Sequence, residues 1–340
     1  MIRQAYRIGK VGSMSNLKLV KEELELPANN EVQIKVKAIG LNFADVFSIH
    51  GLYSATPKGS FVPGLEFSGE IVAIGGEVVD FSLGDKIMGV TRFGGYADHL
   101  NIDDRHIVKM PDDWSFEEGA AFLVQALTAY YALLNLGDLK KGHAVLIHSG
   151  AGGVGIMANR IAKKFDSYTI GTIGSAGKKR ILEQEGFDAK IVRSRNFESD
   201  LKEALNGREL NLIVETIGGE ILKAGYRVLA PQGRMIVVGA SQFASPGNKP
   251  NYFKLIFKFL TRPKLDIQQM IQDNKAVLAF NLIWLYDKVD LMDEMVKEMT
   301  KMDLGKPFVG HVFEFDQLHD GIHLFQSGKS TGKVVVKTSH

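Results

Sequence analysis

The chain has 340 residues, which is enough for about two domains. Its 41 basic and 39 acidic residues give a net charge of +2, too close to neutral for a general nucleic-acid binder. The absence of cysteine excludes disulfide bonds, a thiolate nucleophile and cysteine-ligated zinc.

The predicted secondary-structure pattern changes twice along the chain. Residues 1–122 alternate short apolar strands with Gly, Pro and Asn, which predicts an irregular β domain. Residues 123–306 alternate strands with helices, which predicts a doubly wound parallel sheet with helices on both faces. The tail 307–340 returns to β character around a short helix near 316–326, and we expect it to rejoin the first domain.

The strands predicted for the second region are 144–148, 168–173, 189–192, 211–216 and 234–239, and the helices are 156–165, 177–186, 198–206 and 219–229. The tail adds predicted strands at 312–315 and 333–337.

A glycine turn between the first of these strands and its helix is the most informative motif. The pattern G-x-G-x-x-G is weak alone, but here it follows a β-rich strand and begins an amphipathic helix. Such a turn places free backbone N–H groups and the positive helix end where a dinucleotide pyrophosphate binds. We therefore predict a nucleotide site at Gly150, Gly152, Gly153, Val154 and Gly155.

Four segments together carry a family resemblance: 40–45 (GLNFAD), 63–69 (PGLEFSG), 84–87 (GDKI) and the glycine turn. They resemble the medium-chain dehydrogenase/reductase superfamily, specifically its zinc-independent quinone oxidoreductases. Residues 262–266, 274–282 and the tail 332–334 are similar to its synaptic-vesicle VAT-like branch. The resemblance implies a Rossmann domain over 123–306, a GroES-like β-barrel domain over 1–122 plus 307–340, and a homodimer.

The superfamily's zinc alcohol dehydrogenases carry Gly-His-Glu where this chain has Gly64-Leu65-Glu66. Leucine therefore replaces the metal-binding histidine, and the four-cysteine lobe is also missing. We interpret Glu66 as a solvated or structural carboxylate, with a metal ligand as the alternative, and expect no metal. Alcohol oxidation by a zinc alkoxide is disfavoured.

The end of the second parallel strand indicates which nucleotide binds. NAD sites usually place an Asp or Glu there for the ribose hydroxyls, whereas this chain has Gly174 and Ser175. Three cations, Lys178, Lys179 and Arg180, follow at the start of a helix, where the helix dipole normally favours acids. The 2′-phosphate of NADPH would compensate these cations, and the family pattern implies the same serine and lysine. Arg193 stands where the family often has an adenine-stacking tyrosine, and it could stack or bind phosphate. The alternative is a solvated charged face.

Further cofactor contacts are implied by matching residues to the family. They are Asn42, Phe43, Asp45, Thr128, Tyr131, Thr216, Gly239, Ala240, Ser241, Phe280 and Leu282. For the apolar members, simple core packing is the alternative interpretation.

Without zinc, hydrogen-bond donors must stabilise negative charge on an acceptor oxygen during hydride transfer. Asn42 and Tyr53 are the best candidates, because Tyr53 matches a tyrosine shared by quinone and enoyl reductases. A neutral phenol can donate at pH 7. Gln125 stands where some quinone oxidoreductases carry lysine, and it can donate a hydrogen bond but no charge.

Residues 251–260 form an apolar, aromatic segment with two lysines. An interfacial membrane helix, a lid over the cleft and a dimer contact all remain open interpretations. The run 276–280 resembles the strand that superfamily dimers often pair. No apolar signal core follows Met1 and no long apolar run is apparent, so we expect a cytoplasmic protein.

The sequence thus predicts an NADPH-dependent reductase whose acceptor is a quinone or a similar conjugated carbonyl. An enal or enone reductase with the same cofactor is the close alternative. A VAT-like cofactor-binding protein that acts at membranes without significant turnover is the alternative from another class. Nucleic-acid binding is not expected.

Overall fold

Strands dominate the first part of the chain in the computed structural model, which describes residues 1–244 and 246–338. The elements are β1 (Ile2–Ile8), β2 (Leu17–Glu23), β3 (Glu31–Gly40), α1 (Phe43–Ile49), β4 (Glu66–Ile74), β5 (Lys86–Val90), β6 (His99–Asp103), β7 (Ile107–Lys109) and α2 (Phe116–Gly119).

Strands and helices then alternate, as the sequence pattern predicts. The elements are α3 (Leu123–Tyr130), β8 (Ala144–Ile147), α4 (Gly153–Lys164), β9 (Tyr168–Ile173), α5 (Lys179–Gln184), β10 (Ala189–Val192), α6 (Phe197–Leu205), β11 (Leu210–Glu215), α7 (Gly219–Val228), β12 (Leu229–Val237), α8 (Tyr252–Leu260), α9 (Ile267–Asp273), β13 (Ala276–Ala279) and α10 (Val289–Met302). The tail contributes β14 (Val309–Glu314), α11 (Leu318–Gln326) and β15 (Lys333–Lys337).

The second region contains a six-stranded sheet in the order β10-β9-β8-β11-β12-β13, with every pair parallel. This confirms the predicted doubly wound sheet. The chain runs outward from β8 in both directions, which opens a crevice at the carboxyl ends of β8, β9 and β11. All four residues of β8 are buried, because helices cover both faces of the sheet.

The first region forms a seven-stranded sheet, ordered β14-β15-β3-β4-β5-β7, with β6 also paired to β3. The tail strand β15 pairs antiparallel with β3, so both ends of the chain contribute to this sheet. The predicted barrel is wrong in one respect: within the described residues β14 and β7 do not pair, and the sheet is open. The β1–β2 hairpin stands as a separate two-stranded sheet. The exact domain boundaries stay a prediction.

Two differences from the predicted elements have local causes. Strand β12 begins at Leu229, five positions before the predicted start at 234, because Leu229 already pairs with Leu210, and regular pairing resumes at Arg234 after an irregularity at Pro231-Gln232-Gly233. Gln232 has a φ of 66°, the left-handed conformation that is typical of turns. Helix α4 begins at Gly153, so the last glycines of the turn already belong to the helix.

One helical stretch, Phe116–Leu136, is long and apolar enough to cross a membrane by length and composition, which the sequence inspection missed. In the folded protein, 67% of the most apolar 18 residues of this stretch is buried. Leu127 and Leu133 pack there against Val145 and Met157 in the core of the parallel-sheet region. Burial of this kind is typical of a helix at the centre of a folded core.

Candidate active site

The glycine turn has the geometry that an anion site needs. Gly152 is the N-cap of α4 in an extended conformation, and no side chain caps the helix. A Cβ on Gly155 would lie 2.4 Å from the carbonyl oxygen of Ser149, so only glycine allows this approach of helix to strand. The first N–H groups of α4 therefore face the crevice without a side-chain partner, as pyrophosphate binding requires.

Two cations lie close together at the end of β9. Lys178 donates from Nζ to the carbonyl oxygens of Gly328 and Ser330, each at 2.6 Å. Burial lowers the pKa of Lys178, and the nearby Arg193 lowers it further. Within residues 1–244 and 246–338, neither cation forms a salt bridge with a carboxylate. The exposed Ser175 is the N-cap residue of the short helical turn Ala176–Lys178, three positions before this lysine.

Arg193 is held in place by a series of buried polar side chains. Its Nη1 donates to the Thr172 hydroxyl at 3.2 Å, and that hydroxyl lies 2.8 Å from Nδ1 of His148. His148 Nε2 lies 3.2 Å from the carboxylate of Glu215, with both side chains fully buried. A Cβ on Gly174 would lie 3.0 Å from the guanidinium, so glycine here lets Arg193 rest against the main chain.

Burial would raise the pKa of Glu215, but His148 and two backbone N–H groups hold it below its usual range. Those N–H groups belong to Ile217 and Gly218, at 2.5 and 2.9 Å from Oε1. The carboxylate thus fixes the chain immediately after β11, where Thr216 enters the crevice.

The remaining predicted contacts gather at the same sheet edge. The Thr216 hydroxyl lies 2.9 Å from that of Ser149, and the Thr216 carbonyl accepts from the backbone N–H of Ser241. The rings of Tyr131 and Phe280 meet edge-on with centroids 4.8 Å apart. Other predicted residues that the structure places along these elements or at α1 are Phe43, Thr128, Gly239, Ala240 and Leu282.

A buried cluster around Glu66 lies behind the crevice. Lys333 Nζ forms a salt bridge with Oε1 of Glu66, and the two side chains are 3% and 1% exposed. The same oxygen accepts from Asn42 Nδ2 at 2.8 Å and from Gln125 Nε2 at 3.0 Å. Oε2 accepts from the backbone N–H of Val124 at 3.2 Å. Burial lowers the pKa of Lys333, and Glu66 opposes this shift.

This cluster bears on two expectations. Of the alternatives expected for Glu66, the structural carboxylate fits: the side chain is buried, and its oxygens accept from four donors. Asn42 has no amide hydrogen left for an acceptor, because Nδ2 donates to Glu66 and to the Gly40 carbonyl. Its Oδ1 accepts from Gln125 at 3.0 Å and from Lys333 at 2.8 Å. Asn42 therefore orders the cluster, and the predicted catalytic donation from it finds no support in this geometry.

Asp45 was expected to contact the cofactor, but it is 0% exposed. Its Oδ2 accepts from the Asn42 N–H at 2.8 Å and from the Tyr96 hydroxyl at 3.0 Å, which caps α1. Its Oδ1 is buried without a partner among the described residues. Burial raises the pKa of Asp45 to about 7.

Tyr53 lies on the loop after α1, at the opposite wall of the crevice from β13. Its hydroxyl donates to Oδ1 of Asn281 at 2.6 Å, although 228 positions separate the two residues. Burial raises the pKa of Tyr53 to about 12, so the phenol is protonated at any physiological pH. Of the two predicted catalytic donors, Asn42 and Tyr53, the Tyr53 hydroxyl is outside the Glu66 cluster and donates to the side chain of Asn281.

Comparison with known proteins identifies the family. Residues 28–112 match the model of the alcohol dehydrogenase GroES-like domain, and residues 153–279 match that of the zinc-binding dehydrogenases. The synaptic vesicle membrane protein VAT-1 homolog of Danio rerio is 31% identical over 332 residues, which cover 96% of this chain and 68% of that protein. The chain belongs to the medium-chain dehydrogenase/reductase superfamily, in its zinc-independent, VAT-1-like branch.

Two solved structures share the superfamily fold with this VAT-1-like chain. The Escherichia coli quinone oxidoreductase complexed with NADPH has a TM-score of 0.85 and 24% identity, and covers 99% of this chain and 100% of its own. The CurK enoyl reductase has a TM-score of 0.84 and 24% identity, and covers 99% of each chain. At this identity the likeness establishes the fold alone.

Lys333 is an important side chain of this VAT-1-like protein that was missed in the sequence, whereas Asn281 belongs to the segment 280–282 that was expected to line the site, without its bond to Tyr53. Lys333 begins the apolar strand Lys333–Lys337, and a lysine at the head of a buried strand is a signal that it has a buried acid partner. Asn281 lies between two predicted site residues, Phe280 and Leu282, but nothing in its own surroundings points to Tyr53.

The pKa of Asp45 leads to a prediction about stability. Because the folded-state pKa is raised, the neutral carboxyl favours folding fully below about pH 4, and this contribution is lost as pH rises to about 7. Asp45→Asn keeps the neutral form at every pH. We expect its melting temperature relative to the wild type to rise from pH 4 to pH 7 and then level off.

Asp85→Asn is the matched control, because the backbone N–H of Ser82 and the Lys109 ammonium lower the pKa of Asp85. Because its folded-state pKa lies below 3.8, the melting temperature of Asp85→Asn relative to the wild type should fall as pH rises to about 4 and then stay nearly level up to pH 7. A constant difference for Asp45→Asn across the whole range would contradict the raised pKa.

Proposed function

We propose that this protein is an NADPH-dependent oxidoreductase that delivers hydride to a quinone or a similar conjugated carbonyl. The observation that carries the proposal is the pair Lys178 and Arg193, two half-buried cations without a described carboxylate partner. They lie at the end of β9, one strand away from the uncapped N-terminus of α4. A dinucleotide with an additional phosphate on its adenosine ribose fits both features.

When bound, NADPH would supply a hydride, which carries two electrons to the acceptor. The glycine turn and α4 would hold the pyrophosphate, and Ser175, Lys178 and Arg193 would hold the 2′-phosphate. Tyr131 and Phe280 would form an apolar wall for the nicotinamide end and exclude water. Two structural neighbours complexed with NADPH, the quinone oxidoreductase of E. coli and a mycobacterial protein, support this choice of cofactor.

Hydride addition to a quinone carbonyl, or to the β-carbon of a conjugated carbonyl, leaves negative charge on the acceptor oxygen. Tyr53 would stabilise that charge by donating a hydrogen bond. Because its pKa is about 12, the phenol stays protonated, and the proton that completes the reduction comes from water. Quinone and enone acceptors both need only this one donor, so enal or enone reduction remains the close alternative.

The direct test is oxidation of NADPH by the purified protein with a panel of quinones, enals and enones. We expect turnover with at least one class of acceptor. The preferred class decides between a quinone reductase and an enal or enone reductase. Parallel assays with NADH provide the cofactor control. Absence of NADPH oxidation with every acceptor would overturn the catalytic proposal.

Lys178→Ala tests the phosphate assignment separately from turnover. Loss of one charge-assisted contact should raise the dissociation constant for NADPH about tenfold or more and leave that for NADH nearly unchanged. Lys179→Ala, which removes an exposed cation one position along, is the matched control and should change neither constant. Equal weakening of both cofactors by Lys178→Ala would indicate that this lysine only holds the 328–330 loop.

A second candidate function, peripheral binding to anionic membranes, is favoured by α8. This helix buries only Leu255 and exposes Phe253, Phe257 and Leu260 at 89%, 67% and 68%. Residues 246–265 contain five basic and no acidic side chains, so the exposed apolar face is surrounded by positive charge. An amphipathic helix of this composition binds headgroups of anionic lipids. The VAT-1 relatives are named as synaptic vesicle membrane proteins.

Flotation with vesicles that contain phosphatidylserine tests this candidate. The wild type should float and Phe257→Asp should not, whereas vesicles of phosphatidylcholine alone should carry neither. Val79→Asp is the matched control, because Val79 is 84% exposed on a loop of the other sheet. A wild type that does not float, or a Phe257→Asp variant that floats equally well, removes the membrane function and leaves a lid over the cleft or a dimer contact as the role of α8.

A further inference from the structure

Asn281 has an unusual position for a side chain that bonds to Tyr53. It is the N-cap residue of the short 3-10 helix Leu282–Leu285, where an asparagine ordinarily accepts from a backbone N–H of the first turn. Asn281 makes no such cap. Its Oδ1 accepts instead from the phenol of Tyr53, at 2.6 Å across the crevice. The Asn281 side chain thus bonds to a residue on the loop after α1 instead of capping its own helix.

The backbones on both sides of this contact are well fixed. The Tyr53 carbonyl accepts from the N–H and from the hydroxyl of Thr56, at 3.0 and 2.7 Å. The N–H of Phe280 donates to the Val237 carbonyl, which ties the chain before Asn281 to β12. The two side chains therefore meet because the two walls of the crevice hold them there.

The side-chain amide of Asn281 carries an acceptor, Oδ1, and a donor, Nδ2. A rotation of about 180° around the Cβ–Cγ bond exchanges the positions of these two atoms. With Oδ1 facing the phenol, Tyr53 gives its hydrogen to Asn281. With Nδ2 facing it, Asn281 donates to the phenol oxygen, and the hydrogen of Tyr53 is free for an acceptor oxygen. A carboxylate in the same place can only accept.

We propose that Asn281 is the positioning residue of Tyr53: its amide holds the phenol in the crevice and, by turning Nδ2 toward it, leaves the phenol O–H free to donate a hydrogen bond to the acceptor oxygen. This inference rests on the proposed reductase function and deepens it. Asn281 itself does not touch the reacting atoms.

The test compares Asn281→Asp and Asn281→Ala with the acceptor that the wild type prefers. Asn281→Asp has the same shape but keeps the phenol hydrogen bound. We expect its kcat to fall at least tenfold and further than that of Asn281→Ala, with the dissociation constant for NADPH within twofold of the wild type. In a Tyr53→Phe background, neither substitution should lower kcat further, because the hydrogen that Asn281 controls is gone.

Asn251→Ala is the matched control for an asparagine N-cap. Asn251 does cap α8, since its Oδ1 accepts from the Lys254 N–H at 3.0 Å. Asn251→Ala should lower the melting temperature and leave kcat unchanged, whereas Asn281→Ala should lower kcat with little change in melting temperature.

Equal kcat for the two Asn281 variants, or further losses in the Tyr53→Phe background, would overturn the positioning role while the reductase function stands. Absence of turnover by the wild type with every acceptor would overturn the reductase function, and this inference with it. If Asn281→Ala does not fold, the isosteric Asn281→Asp in both backgrounds still decides the question.

Discussion

The buried ion pair between Glu66 and Lys333 is the interaction on which the arrangement of the crevice depends. Two charges out of water are stable only when their remaining hydrogen-bonding capacity is used, and here Asn42, Gln125 and the Val124 N–H complete the set. Removal of one partner from such a pair costs about 3–5 kcal/mol, because the other charge stays buried and unpaired. The pair therefore fixes β15 against β4 with little freedom.

Backbone geometry leaves no alternative packing at this point. A Cβ on Gly40 would lie 2.8 Å from both Glu66 Cγ and Lys333 Cε, and 2.1 Å from the Ala120 carbonyl. A glycine at the end of β3 is therefore required for the charged groups to meet. The same strand end continues into Asn42 and α1, so the ion pair also sets where the loop that carries Tyr53 begins.

The segment that leads into Lys333 extends this order to the nucleotide side. The N–H of Gly332 donates to the Ala151 carbonyl in the glycine turn, at 2.7 Å. The carbonyls of Gly328 and Ser330 accept from Lys178. Four of the six residues 328–333 thus contact the predicted pyrophosphate turn, the predicted 2′-phosphate lysine or the Glu66 cluster. The two sheets are joined at the place where a cofactor and an acceptor must meet.

Local pattern was sufficient to predict the parallel sheet, because alternation of strands and helices and a glycine turn are properties of neighbouring residues. Strand 168–173 and strand 189–192 were predicted to the residue. The partner of Glu66 lies 267 positions away and that of Tyr53 lies 228 positions away, so no local pattern contains either pair. The role of Asn42 was misjudged for the same reason, since its donors and acceptors come from β4, α3 and β15.

The properties of Tyr53 favour one direction of chemistry. Oxidation of an alcohol needs a group that removes a proton, and a phenol with a pKa of about 12 is a poor base at pH 7. Reduction of a conjugated carbonyl needs a donor that stays protonated while charge builds on oxygen, which the same pKa guarantees. Because Asn42 and Gln125 are committed to the Glu66 cluster, neither of these two amides shares this task with the phenol. The acceptor specificity of the crevice should therefore depend on how closely an acceptor oxygen can approach Tyr53.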